Sequence, residues 1–509
     1  MNNDNVAAST VHELIERQAR EQPDELYALA VDHPQSLSFG RLADDCRAVA
    51  GWLRAQGSKP GDVVSVVMPN GLQTLRLLLG AMHGGWCVNP VNLLSQSDQM
   101  QYVLEHSDCR VVITTSDREA QLRETLARID REITLLVTDP DASEIPAVAV
   151  AAGVDGQPPA SDALALLMYT SGTTGRPKGV MLTHANLAAN AHAVSQEHGL
   201  SSADRVLAVL PLYHINAFSV TMLAPLAHGG SLVMPARFSS AKLWSQALEQ
   251  GCTWLNVVPT MISYLLEGAD APREATQSIR FCRSASAALP PEHLNAFEQR
   301  FGIGIVETMG LTETAAPAFS NPMDPSQRKL GAVGRASGCE ARIVDSGLDS
   351  VADGITGEIV IRGPNVMRGY YKNEEATRAS FTPDGWLRTG DLGHRDEDGF
   401  FFVTGRIKEL IIKGGENIAP REIDEALLRH PAVLEAAAVG VPDRHYGQEI
   451  MACIVLREGV PFDETELRGF CEQHLGRYKT PKVLRIVSQL PRGPSGKVQR
   501  LKLLEEPNL

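Results

Sequence analysis

At 509 residues, with 43% hydrophobic and 21% charged side chains, the chain can bury several cores, and length alone suggests about three domains. A net charge of −14 without clustered lysines and arginines argues against a nucleic-acid binder, so a polyanionic ligand would have to be met locally. The eight cysteines show no C-x-x-C pair or zinc-spaced histidine and read as reduced, mostly buried thiols. With no signal, lipidation motif or membrane-length apolar run, a cytoplasmic protein without a membrane span is expected.

From Val11 to about Val137, strand-length apolar runs (Val63 to Met68, Val111 to Thr114, Ile133 to Val137) alternate with helical-period segments such as Phe39 to Leu53, which predicts an α/β layer. Pro140, Pro146, Pro158 and Pro159 mark a loose connection. The alternation resumes from Leu164 to about Thr308, through apolar Val206 to Leu210, helix-like Ser219 to His228, apolar Leu232 to Met234, helix-like Ala241 to Gln250 and apolar Trp254 to Val258. Two similar α/β layers are the simplest account. After about Pro322 the runs become short and β-like (Ala341 to Val344, Glu358 to Arg362, Phe400 to Val403), predicting a small barrel or twisted sheet, and from Ile407 the character changes to mixed α+β.

The most informative stretch is Tyr169 to Gly179, Y-T-S-G-T-T-G-R-P-K-G. Gly172, Gly175 and Gly179 allow close backbone approach, Thr170, Ser171, Thr173 and Thr174 offer hydroxyls, and Arg176 and Lys178 bring positive charge, which together suit a phosphate cradle. It follows the buried-strand signal Leu164 to Met168 and precedes Val180 to Leu182 and a helix that the Thr183 hydroxyl can cap. The P-loop of NTPases is excluded because Lys178 is followed by glycine. A Ser/Thr/Gly-rich linker is the rival reading, but linkers rarely sit directly behind a buried strand.

This loop is similar to the signature loop of the adenylate-forming superfamily, which holds acyl-CoA synthetases, peptide-synthetase adenylation domains and firefly-type luciferases. The resemblance spans nearly the whole chain and implies a large N-terminal adenylation domain over 1–406, for ATP and acyl binding, and a small mobile α+β lid over 407–509. Four further segments resemble the family's motifs. In Thr308-Met309-Gly310-Leu311-Thr312-Glu313 the resemblance gives Thr312 to the α-phosphate and Glu313 to Mg²⁺, although Gly-Leu-Thr-Glu alone reads as a helix start. Met309 stands where the family usually has an aromatic residue against adenine, and Ser286 and Ala287 fall in the neighbouring wall, which has alanines where glycine and proline are usual. Asp391 and Arg406, an ordinary turn carboxylate and surface arginine on a bland reading, take the ribose. Lys408 falls at the family's hinge, Gly414 in the loop that presents backbone to coenzyme A, and Lys497 in the C-terminal loop that reaches the carboxylate and α-phosphate during adenylation.

The resemblance implies an acyl-CoA synthetase using ATP, Mg²⁺ and coenzyme A: a carboxylate forms an acyl adenylate, and coenzyme A then displaces AMP. A peptide-synthetase-type enzyme is the nearest rival, but those usually carry an aspartate where His214 stands, and a luciferase is a further one. A non-catalytic nucleotide sensor would be expected to have lost Lys497 or Glu313. His214, otherwise a histidine satisfied at a strand end, is placed by resemblance where the acyl pocket meets the coenzyme A tunnel. Around the acyl chain fall Asn216, Arg283 and Thr308. Arg283 lies on an expected inward strand, where a lone guanidinium costs several kcal/mol, so either Glu307 or the substrate must pair with it. The substrate reading is a short acid with a second anionic group, of the malonate, oxalate or sulfoacetate kind. A homodimer and a lysine acetyltransferase acting on Lys497 are left as open expectations.

Overall fold

The computed structural model describes residues 10–145, 157–170, 176–492 and 498–504. Pro146 of the expected connection falls outside them. Two large sheets form the bulk of the chain, each with a parallel centre; the first has one antiparallel edge and the second has two. In one, strands Thr134–Val137, Val111–Thr114, Val63–Val67, Cys87–Pro90 and Leu164–Thr170 lie side by side, followed by Lys178–Thr183 and the short strand Gly369–Tyr370 at the edge. All five residues of Val63–Val67 are buried, as a strand covered on both faces requires.

The second large sheet centres on parallel strands Leu26–Ala30, Ser231–Met234, Arg205–Leu207, Trp254–Val257, Phe281–Ser284 and Ile305–Leu311. One continuous apolar core joins residues of both large sheets and of helix Leu72–His83, which is apolar enough on all sides to be buried along its whole length. Helix His184–Glu197 begins as the sequence predicts, with Thr183 Oγ1 accepting the Asn186 backbone N–H at 3.2 Å. The helix expected over Ser219 to His228 starts earlier, as a π-helix over Asn216–Leu223 that continues as α-helix Ala224–His228. The strand expected over Val206 to Leu210 stops at Leu207, with Ala208 N–H still donating to the Val233 carbonyl of the neighbouring strand at 2.8 Å.

The region expected to form a small barrel or twisted sheet is a four-stranded antiparallel sheet of Glu340–Val344, Gly357–Arg362, Leu387–Arg395 and Phe401–Arg406. Beyond it, strands Ile411–Lys413, Glu416–Ile418, Val433–Asp443, Gly447–Leu456 and Val483–Ile486 carry helices Pro420–Leu428 and Glu464–Lys479. The apolar clusters of this last segment draw only on residues from Ile411 onward. All eight cysteines are free thiols; seven are buried, and burial pushes Cys87, Cys252 and the half-buried Cys339 up to about 12. Among the described residues no helix is long and apolar enough to cross a membrane.

Candidate active site

A cleft of about 830 Å³ opens where parallel strands of both large sheets end, the usual ligand position in open α/β sheets. Its walls carry Thr170 and Lys178 from the hairpin of the first sheet, His214 and Asn216 from the segment after Arg205–Leu207, Arg283 and Ser286 from the end of Phe281–Ser284, and Thr312 and Glu313 from the end of Ile305–Leu311. Arg406 and Lys408 line it from the small-sheet side. Motifs up to 238 residues apart in sequence, from Thr170 to Lys408, therefore meet at one opening. Ser171, Gly172, Thr173, Thr174, Gly175 and Lys497 lie outside the described residues.

Local backbone shapes the wall around Glu313. Strand Ile305–Leu311 is irregular between Met309 and Gly310, and a Cβ at Gly310 would come within 2.1 Å of the Ala316 carbonyl oxygen, so the close pairing with the next strand needs glycine there. The 3₁₀ turn Thr312–Thr314 is followed by Ala315 and Ala316 at φ 54° and 90°, a left-handed excursion that costs of order 1–3 kcal/mol per residue and returns the chain at once along its own strand. Ser286, also on the wall, holds φ 75°. Glu313 is fixed on two sides: its carbonyl accepts the Met367 N–H at 2.8 Å, and its Oε1 accepts the Tyr370 hydroxyl at 2.8 Å. Burial and the Glu313 charge push the Tyr370 phenol up, so it stays a donor, and Lys178 Nζ sits 4.8 Å from the centre of its ring. Tyr370 thus links the cradle lysine to the expected Mg²⁺ ligand.

Two arginines of the small-sheet wall are paired with carboxylates. Arg406 Nε donates to Asp391 Oδ1 at 2.7 Å across the register pair Asp391 and Arg406, and this carboxylate raises the arginine further. Arg388 donates from Nε and Nη2 to Oε2 of the buried Glu358, at 2.9 and 2.7 Å, while Glu358 Oε1 accepts the Gly390 N–H. Both are on the wall; Arg388 lies in the run Trp386 to Asp391 that resembles a family motif but was given no role, and Glu358 carried no motif signal.

Arg283 is different. It is 1% exposed, and its Nη1 donates to Asn216 Oδ1 and to Asn256 Oδ1, each at 2.7 Å. Its Nε is buried without a hydrogen-bond partner, and among the described residues no carboxylate forms an ion pair with it. The expected alternative partner, Glu307, is excluded by the pleat: Arg283 is in register with Val306 and Ser284 with Glu307, so the Glu307 side chain leaves the opposite face of the sheet. There burial lifts Glu307 to about 7, against the opposing effects of Arg421 and the Leu289 N–H. Burial lowers Arg283 to about 9, which still leaves it a cation at neutral pH.

Several sequence-predicted residues do not join the cleft wall. Met309 packs against the cluster of Phe319, Ile343 and Phe401 instead of facing the opening, and Ala287 is exposed beside it. Thr308 is buried and turned toward the Ser284 carbonyl at 3.4 Å, and Asp391 reaches the wall through Arg406. Gly414, at φ 57°, closes the turn between Ile411–Lys413 and Glu416–Ile418, where a Cβ would meet the Tyr478 hydroxyl at 2.8 Å. Asn256 went unnoticed in the sequence, because nothing in Trp254 to Val258 distinguishes a pocket support from a core strand.

Residues 15–371 match the family model described as AMP-binding enzyme, and residues 422–497 match its C-terminal domain. The chain is 59% identical over 97% of its length to a sulfoacetate–CoA ligase of Cupriavidus necator, 97% of which is covered. It is 35% identical to an oxalate–CoA ligase of Arabidopsis thaliana, with 97% of this chain and 98% of that one covered. Among solved structures it resembles ATP-bound MatB from Rhodopseudomonas palustris (TM-score 0.89, 30% identity, 98% and 99% covered). It also resembles o-succinylbenzoate coenzyme A synthetase from Bacillus subtilis in complex with ATP and magnesium ion (TM-score 0.84, 29% identity, 96% and 99% covered).

Proposed function

The chain belongs to the AMP-binding enzyme family, and from that premise we propose that its cleft joins a short acid bearing a second anionic group to coenzyme A at the expense of ATP, with sulfoacetate the first candidate. At the level of class the protein is an AMP-forming acid–thiol ligase. The observation that carries the substrate reading is the unpartnered Nε of Arg283 at a buried position on the cleft wall. With Nη1 held by two amide oxygens, the Nε and Nη2 edge is the one a carboxylate or sulfonate can engage in parallel. A buried cation without a counter-ion costs several kcal/mol, and a substrate anion offsets that cost only when it is bound. The 59% identity to a sulfoacetate–CoA ligase supports the same choice.

The residues present suit the implied nucleotide and metal. Lys178 is positioned to meet phosphate oxygens, Thr312 supplies a hydroxyl, and Arg406, held by Asp391 behind it, offers donors for a sugar. The Glu313 carboxylate, oriented by Tyr370, is a hard oxygen ligand on the wall and fits Mg²⁺, whose chemistry when bound is to neutralise charge on phosphate oxygens. The substrate carboxylate is already a nucleophile, so these side chains need only position it and the nucleotide and stabilise developing charge. His214 on the wall is assigned to the meeting of acyl pocket and thiol path. Residues 407–509, whose apolar clusters are their own, are assigned as the moving lid, with Lys408 at its hinge, Gly414 facing the coenzyme A arm and Lys497 acting in the first half-reaction.

The test is coenzyme A-dependent AMP release with sulfoacetate, malonate, oxalate, butyrate, a long-chain fatty acid and 4-coumarate, in wild type and in Arg283→Met. Wild type is expected to favour a doubly anionic acid, and Arg283→Met to lose that preference by about 100-fold or more. A wild-type preference for a monoanionic apolar acid, or an unchanged ranking in the variant, overturns the reading.

A further inference from the structure

Asn256 is fully buried on strand Trp254–Val257, in register with Arg283 on the next strand, and does not reach the cleft. Its Oδ1 accepts from Arg283 Nη1 at 2.7 Å and its Nδ2 donates to Asn216 Oδ1 at 3.3 Å, while Asn216 Oδ1 accepts from the same Nη1. The three side chains close a ring in which one guanidinium nitrogen is gripped by two oxygens that carry no net charge. Arginines buried to this degree are ordinarily paired with a carboxylate, and the same chain does so at Arg76 with Asp45, where both side chains are buried and Nε lies 2.8 Å from Oδ2. An aspartate at 256 would have nearly the same shape and the same acceptor oxygen. The choice of amide over acid here sets the charge and also supplies the donor that meets Asn216 Oδ1.

We propose that Asn256 is a specificity-determining positioning residue: it anchors the Arg283 guanidinium without neutralising it, so that the counter-ion must come from the acid being activated. Asn216 shares the anchoring but lines the cleft and can touch an acid itself; Asn256 acts from behind the wall, through Arg283 and through its bond to Asn216. A carboxylate at 256 would be an internal counter-ion that is always present, and a second anionic group on the substrate would then meet a neutral pair and a like charge. The inference rests on the proposed reading of the acyl pocket.

The experiment compares sulfoacetate with propionate, a monoanion of similar length, in wild type, Asn256→Asp and Asn256→Ser, following kcat/KM for each acid and KM for ATP. Asn256→Asp is expected to lose about 100-fold for sulfoacetate, mainly in the KM of the acid, with propionate unchanged or improved and the KM for ATP unmoved. Asn256→Ser removes one anchor but keeps the charge. It should weaken sulfoacetate several-fold while sulfoacetate stays preferred, and it carries the test alone if the aspartate variant does not fold. Equal loss for both acids in Asn256→Asp, or sulfoacetate kinetics unchanged in Asn256→Ser, overturns the inference. A wild type that prefers propionate overturns instead the functional reading beneath it.

Discussion

Arg388 and Arg283 line the same cleft in opposite electrostatic states. Arg388 rests with two nitrogens on one oxygen of a buried glutamate, itself held by a backbone N–H, so that corner is close to neutral before any ligand arrives. Arg283 is more deeply buried, yet only amides hold it. The first arrangement organises a wall and makes little demand on what binds beside it. The second keeps a desolvated charge that only an anion can satisfy, so the two arginines teach that burial and function part company where the counter-ion is left out.

The largest expected effect lies outside this contrast and gives it a baseline. Lys497→Ala should lower acyl-adenylate formation by about a thousandfold for every acid alike, while thioester formation from preformed adenylate and coenzyme A stays near wild type. Single-turnover assays of each half-reaction check this, and equal loss in both would refute a role confined to the first.

Arg388→Met sharpens the contrast directly. It strands the buried Glu358 carboxylate, so urea denaturation should show a loss of about 2 kcal/mol while the ranking of acids stays as in wild type. A changed ranking would mean that the paired arginine also reads the acid.

Glu307→Gln tests whether the rejected partner of Arg283 is truly separate from it. Burial raises Glu307 from 4.5 to about 7, so between those values the folded protein keeps a proton that the unfolded chain has released. Stability contributed this way falls as pH rises through that window, and the penalty is complete above about pH 7. The glutamine variant should match wild type below pH 4.5 and be more stable by about 1–3 kcal/mol at pH 8, allowing for partial exposure. Its acid ranking should not move; a shift toward or away from doubly anionic acids would show coupling to Arg283.

The smallest effect is expected at His214. Replacement by alanine should slow at least one half-reaction about tenfold, just over 1 kcal/mol of barrier. Rates within threefold in both would leave the histidine a structural one.

The end assigned to the nucleotide was legible because its residues come in short runs whose spacing carries the chemistry: Lys178 behind its glycines, Glu313 after its strand, and Thr183 as a cap before its helix. The acyl end was legible only in part. Arg283 drew notice as a charge in an apolar strand, but its partners depend on which strands lie side by side and in what register, which places Asn256 beside it and turns Glu307 away. Met309 shows the same limit. The strand pairing is irregular between Met309 and Gly310, and Met309 packs against the small-sheet cluster. Glu358 and Tyr370, which brace Arg388 and Glu313, stand alone in sequence and become visible only when distant segments meet.

The shielding of the native thiols has a practical consequence. Seven cysteines are buried, and burial holds the remaining one, Cys339, far from the thiolate that alkylating reagents need. A pair of cysteines introduced at exposed sites, one in the residues before 407 and one after, should therefore take up maleimide dyes without removal of any native residue. Fluorescence energy transfer between them would then report directly on whether 407–509 swings when nucleotide, acid and coenzyme A are added in turn.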